Sequence, residues 1–130
     1  MKPDLIAIAI AARDRAIAPY SGFKVGAALE TRDGQIYTGC NIENASYGLT
    51  VCAERVALWK ALSEGGADFR GIAVVTDTAN LTPPCGACRQ LLWEYCGDIL
   101  VRLHSLKGLD QEYRLSDLLP FPFDQRFLKV

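Results

Sequence analysis

Cys52, Glu54, Cys85 and Cys88 are the residues whose types and spacing most plainly permit chemistry. They fall in two short segments, Val51-Cys52-Ala53-Glu54-Arg55 and Pro84-Cys85-Gly86-Ala87-Cys88-Arg89-Gln90. In each, loop composition gives way to helical composition. A helix N-terminus stabilises thiolate over thiol through its free N–H groups and dipole, and thiolate is the form that binds metal. Cys85 and Cys88 are three apart, so a first helical turn points both sulfurs the same way. Cys52 can close a three-thiolate face from across a sheet. Soft sulfur donors and tetrahedral geometry suit zinc, and three protein ligands leave the fourth position for water, which is the pattern of a catalytic site. Glu54, two residues past the first ligand, can touch that water without ligating, as a general base must. Three thiolates outweigh a dication by one negative charge. Arg55 and Arg89 are the candidates to offset it by donating to the sulfurs, together with the two helix N-termini.

Blander readings compete for the same residues. Cys85-Gly86-Ala87-Cys88 alone fits a redox pair, but such a pair needs neither a third thiol nor an adjacent acid. A structural zinc site would want a fourth ligand. Cys40, in a predicted strand, and Cys96, near a helix end, are available for that and read better as small buried residues. The sole histidine, His104, follows a strand and is distant in sequence from the cysteine pairs.

A chain of 130 residues, 50% of them hydrophobic, can bury a core of its own, so one domain spanning 1–130 is expected. Fourteen basic against fifteen acidic residues leave a net charge of -1. Without a Lys/Arg run the electrostatic footprint of a nucleic-acid binder is missing, and a small neutral substrate fits better. The apolar stretch Leu5 to Ala12 superficially resembles a secretory core. Asp4 before it and Arg13-Asp14-Arg15 after it speak against that reading. No stretch reaches the roughly 18 apolar residues of a membrane span. A cytoplasmic location is the expectation, and there five cysteines serve as ligands, nucleophiles or core residues rather than disulfides.

The elements that must position these groups can be read in outline. Pro3 to about Ala16 reads as a helix with Pro3 in its first turn. Val25–Glu30 and Ile36–Ile42 read as an antiparallel pair around the Asp33-Gly34 turn. Cys52 to Glu64 is a strong helical window closed by Gly65-Gly66, apolar most of the way round and so expected to be largely buried. Strand-like Ile72–Thr76, helical Gly86–Tyr95 and strand-like Ile99–His104 follow. Asp110–Leu115 is a candidate edge strand, and Ser116–Leu119 a short helix stopped by Pro120. The alternation predicts a three-layer α/β/α sandwich with a mixed sheet of about five strands.

The chain resembles the cytidine deaminase family in its small homotetrameric form acting on free nucleosides. The resemblance rests on Pro19-Tyr20-Ser21-Gly22-Phe23-Lys24-Val25-Gly26-Ala27-Ala28-Leu29, Gly39-Cys40-Asn41-Ile42-Glu43-Asn44-Ala45, both cysteine segments and Leu118-Leu119-Pro120. Cys52 stands where the nucleic-acid-editing branches usually carry His, in keeping with a three-cysteine site. The resemblance implies one zinc per subunit and hydrolytic deamination of cytidine and 2'-deoxycytidine at C4 by water activated on the metal. Glu54 would shuttle protons from that water to N3 and the departing amine. It implies ribose recognition by Asn41 and Glu43, which lie two apart on a predicted strand and so share a face. That pair argues against the blasticidin-type deaminases. The resemblance further implies that Phe23 lies against the pyrimidine, that Ala53 contacts substrate, and that Phe123 is contributed to a neighbouring subunit's site. Here the tail Phe121-Pro122-Phe123-Asp124-Gln125-Arg126-Phe127 departs from the family's pattern. The setting implied is pyrimidine salvage.

Overall fold

A computed structural model describes residues 4–128. At its centre lies β3 (Phe69–Thr76), whose near-continuous apolar run is buried along almost its whole length, as an inner strand covered on both faces must be. It pairs antiparallel with β1 (Gly26–Thr31) and parallel with β4 (Leu100–Ser105). Outside these lie β2 (Ile36–Cys40) and the polar edge strand β5 (Asp110–Arg114), giving the order β2-β1-β3-β4-β5. This is the expected five-stranded mixed sheet. The β1–β2 hairpin turns where expected, with Gly34 supplying a φ of 92° that L side chains rarely adopt.

Helices cover both faces. On one, α1 (Leu5–Arg13) lays Ile6 and Ala9 against Ala28, Ala73 and Val75. On the other, α2 (Ala53–Ser63) and α3 (Gly86–Cys96) enclose the larger core with Ala27, Leu29, Ile72 and Val74. Successive residues 27, 28 and 29 thus alternate between layers, as the two-residue period of a strand requires. β2 and the start of α2 meet backbone to backbone. A Cβ on Gly39 would stand 2.3 Å from the Ala53 carbonyl oxygen and 2.5 Å from the Ala57 nitrogen.

Several boundaries differ from the sequence expectation for reasons that lie across the fold. Asp4 caps α1 by accepting from the Ile6 N–H at 3.1 Å; Pro3, expected in the first turn, lies outside the described residues. The helix stops at Arg13, short of Ala16, and Ile17 then donates its N–H to the Asn41 carbonyl at 3.0 Å. β2 correspondingly ends at Cys40 rather than Ile42, because Ile42 bridges Ile17 and Val51 instead of continuing along β1. α2 is not enclosed all round. Ala53, Glu54, Ala57, Leu58 and Ala61 form one buried face, whereas Trp59 is 49% exposed. A last helical turn, α4 (Leu115–Leu118), sits one residue earlier than expected. Two 3-10 turns, Tyr47–Leu49 and Gln125–Phe127, carry no clear signal in the sequence.

Candidate active site

The starts of α2 and α3 converge. Cys52 is the N-cap of α2, Cys85 the N-cap of α3, and Cys88 lies in the first turn of α3. Their sulfurs all lie within 4.8 Å of one another, with Cys52–Cys85 at 3.9 Å and Cys85–Cys88 at 3.5 Å. Tetrahedral zinc with bonds of about 2.3 Å to sulfur separates its ligands by roughly 3.8 Å, so the donor set and spacing fit that metal. Cys52 is held well below the ordinary thiol range, to about 5, first by its hydrogen bond with Cys88 and then by Arg55, whose Nη2 stands 3.5 Å from the sulfur. Cys88 is pushed the other way by the same hydrogen bond and by burial. One thiolate therefore suppresses ionisation of its neighbour, a conflict that a dication facing all three sulfurs removes.

Glu54 follows in the first turn of α2 and is 5% exposed. Burial raises its carboxyl to about 7, and the nearby charge of Cys52 adds to the rise. Glu54 borders a cavity of about 370 Å³, within the range of small-molecule sites. Cys52, Ala53 and Cys85 share that wall.

Phe23, Asn41 and Glu43 border the same cavity. Asn41 and Glu43 sit beyond the end of β2, on either side of the bridging Ile42, yet still reach one pocket. Asn41 is buried, with its amide stitched to the neighbouring loop. Oδ1 accepts from the Val25 N–H at 2.8 Å, and Nδ2 donates to the Phe23 carbonyl at 2.7 Å. One N–H and one lone pair remain for a ligand. Glu43 accepts from the N–H groups of Tyr20 and Ser21 at 3.0 and 3.1 Å, and from the Ser21 hydroxyl. The Ser21 hydroxyl is the main cause holding its carboxyl below the usual carboxylate range.

One proposed member, Arg89, falls elsewhere, and Phe123, expected in a neighbouring subunit's site, lies outside this chain's own cavity. Arg89 does not donate to the sulfurs. Its Nε bonds the Pro84 carbonyl at 2.7 Å and its Nη1 the Leu118 carbonyl at 2.9 Å, so it ties the turn ahead of Cys85 to the end of α4. Phe123 does not border this chain's cavity. It is 59% exposed and stacks on Phe127 with ring centroids 5.7 Å apart. Cys40 and Cys96 stand outside the sulfur cluster, and burial pushes the Cys96 thiol up to about 12. His104 faces the Asp110 carboxylate on β5 at 3.4 Å. The sequence reading missed Ser21 and Thr82, both of which border the cavity. Ser21 was visible only as part of a longer motif, and nothing in the residues singled out Thr82.

A cavity bordered by two of the three clustered sulfurs and a buried carboxyl, with Asn41 and Glu43 also on its lining, has the make-up of a metal-dependent hydrolytic site for a small polar ligand. A family model described as the cytidine and deoxycytidylate deaminase zinc-binding region matches residues 2–102. The chain is 58% identical over 120 residues to a cytidine deaminase of Halalkalibacterium halodurans, covering 92% of this chain and 91% of that protein. It is 50% identical over 125 residues to a cytidine deaminase of Sporosarcina psychrophila, covering 95% and 92%. The crystal structure of a cytidine deaminase from Burkholderia pseudomallei superposes with a TM-score of 0.89 at 51% identity, covering 92% of this chain and 96% of that one. The chain belongs to the cytidine and deoxycytidylate deaminase family.

Proposed function

We propose that this chain, as one domain, hydrolyses cytidine and 2'-deoxycytidine to uridine and 2'-deoxyuridine with release of ammonia. The observation that carries the reading is a single cavity bordered both by Cys52, Cys85 and Glu54 and by Asn41 and Glu43. Zinc, held by Cys52, Cys85 and Cys88, supplies when bound the Lewis acidity that makes water nucleophilic near neutral pH. Glu54 accepts the proton of the attacking water, delivers it to N3 and carries a second proton to the leaving amine. Water supplies the oxygen at C4 and ammonia departs, so atoms and charge balance. Burial around Glu54 keeps bulk water from competing for those protons. Arg55 offsets the charge excess of the three thiolates by donating to Cys52. Asn41 and Glu43 hold the sugar hydroxyls, Phe23 lies against the pyrimidine, and Ala53 borders the base.

Phe123 is assigned to the site of a neighbouring subunit in a homotetramer, a role supported by its exposed ring and by the exposed Trp59 on α2. Among the described residues no helix is long and apolar enough to cross a membrane. A thiolate zinc site requires reduced cysteines, which supports a cytoplasmic place in pyrimidine salvage. The deciding experiment follows ammonia release from cytidine, 2'-deoxycytidine, cytosine and blasticidin S, with zinc counted per subunit. Turnover of both nucleosides far above cytosine and blasticidin S is expected. Blasticidin S as the preferred substrate would overturn the assignment.

A further inference from the structure

Resting on the assignment of Glu43 to the sugar, we propose that Ser21 is a positioning residue that couples sugar recognition to ring recognition through one hydroxyl. Ser21 Oγ donates to Glu43 Oε2 and at the same time accepts from the Phe23 N–H at 2.9 Å. Phe23 and Glu43 both border the cavity, so a single group links its two recognition elements. The turn that presents Ser21 is set independently. Gly22 donates its N–H to the Ala18 carbonyl at 2.9 Å and takes a φ of 68°, closing residues 18–22 into a loop. The N–H groups of Tyr20 and Ser21 then converge on Glu43 Oε1.

Counting lone pairs shows what the hydroxyl does. Oε1 is filled by two N–H donors, and Oε2, with Ser21 on it, keeps one acceptor position. Ser21 thus fixes the rotation of the carboxylate and aims the remaining position. From its other side it fixes the Phe23 N–H, while Asn41 Nδ2 holds the Phe23 carbonyl. With its peptide groups held before and after, Phe23 presents its ring from a backbone fixed before substrate arrives. Removing the Ser21 hydroxyl lets Glu43 rotate and leaves the Phe23 N–H to water. The site must then order itself on binding, a cost that falls on substrate affinity rather than on proton transfer at Glu54.

Steady-state kinetics with cytidine test this in the zinc-loaded enzyme, with Ser21→Ala, Ser21→Thr, Glu43→Gln and the Ser21→Ala/Glu43→Gln double variant. Ser21→Ala is expected to raise KM about tenfold, the scale of one hydrogen bond to a charged group, with kcat within about twofold. Ser21→Thr, which keeps the hydroxyl, is expected to restore most of KM. In the Glu43→Gln background, Ser21→Ala should raise KM much less than tenfold. Zinc content and thermal midpoint establish that each variant is folded, and Ser21→Gly removes the same hydroxyl should alanine disturb the turn. A KM unchanged by Ser21→Ala, a kcat loss as large as the KM rise, or full additivity with Glu43→Gln overturns the coupling. If Glu43→Gln itself leaves KM unchanged, the sugar assignment fails. If Glu43→Gln raises KM while Ser21→Ala is silent, the sugar assignment stands and the coupling alone is rejected.

Discussion

The two sets of candidate site residues are built by different means. In the sulfur set the groups ride on regular elements: Cys52 and Cys85 cap helices, Cys88 is fully buried, and Glu54 lies between the buried Ala53 and the rest of α2. Position there follows from backbone geometry and close packing. In the recognition set Ser21, Phe23 and Glu43 lie outside helices and strands, and polar groups some twenty residues apart in the chain hold them through hydrogen bonds. The set assigned to bond making and breaking is rigid by construction, since errors of about 1 Å in reacting groups cost orders of magnitude in rate. The set assigned to substrate recognition is held by bonds that single side chains can release. Substitutions at the first should therefore appear in kcat and metal content, and substitutions at the second in KM.

Removing a sulfur breaks the contrast most completely. Cys85→Ala is expected to abolish activity together with stoichiometric zinc, because the two remaining thiolates leave the site short of a ligand. Zinc counted by mass spectrometry checks it, and full zinc with full activity would exclude Cys85 as a ligand. Glu54→Gln comes next. It removes the proton carrier without touching a sulfur, so kcat should fall by about 10² to 10⁴ while zinc stays at one per subunit. An unchanged rate would end the proposed role of Glu54.

A subtler test leaves every functional side chain in place. In Gly39→Ala the added methyl must displace the Ala53 carbonyl, which it would otherwise meet at 2.3 Å, and with it the turn carrying Cys52 and Glu54. Overpacking of this kind costs about 1–3 kcal/mol. A lower thermal midpoint is expected, with roughly a tenfold drop in kcat and KM little changed. If KM moved instead, the separation of the two sets would be wrong.

The same contrast explains how much of the site was legible in the sequence. Cys85-x-x-Cys88 and Cys52-x-Glu54 could be placed because helical spacing converts separation in sequence directly into separation in space. The sheet could be read from Asp33-Gly34, from the continuous apolar run Ile72–Thr76 and from the order of strands and helices. The ends of α1 and β2 could not, because the bridge of Ile42 to Ile17 and Val51 sets them and no local pattern encodes it. Arg55, three residues after Cys52, reaches the sulfur as spacing allows. Arg89, as close in sequence to Cys88 and Cys85, is drawn instead to carbonyls of Pro84 and Leu118, the latter 29 residues away. Long side chains and loop hydroxyls take partners that only the assembled fold supplies.

Phe123 sharpens the comparison with the smallest expected effect, since it would give the site a component from neither set. The tail is fastened to α3: Gln90 Nε2 donates to the Phe123 carbonyl at 2.6 Å and Trp93 Nε1 to the Asp124 carboxylate at 2.9 Å. The backbone is thereby anchored to the helix of Cys88 while the ring stays exposed. If that ring closes a neighbour's cavity, Phe123→Ala should raise KM for cytidine several-fold, the scale of about 0.5–1.5 kcal/mol for one aromatic contact. The decisive measurement mixes Phe123→Ala with Glu54→Gln subunits after dissociation and reassembly. A Phe123→Ala subunit contributes an intact Glu54, and its Glu54→Gln neighbour contributes the missing ring. Activity at low cytidine should then exceed the sum of the separate oligomers. Strict additivity would confine each site to its own chain and leave the exposed ring of Phe123 without a part in catalysis.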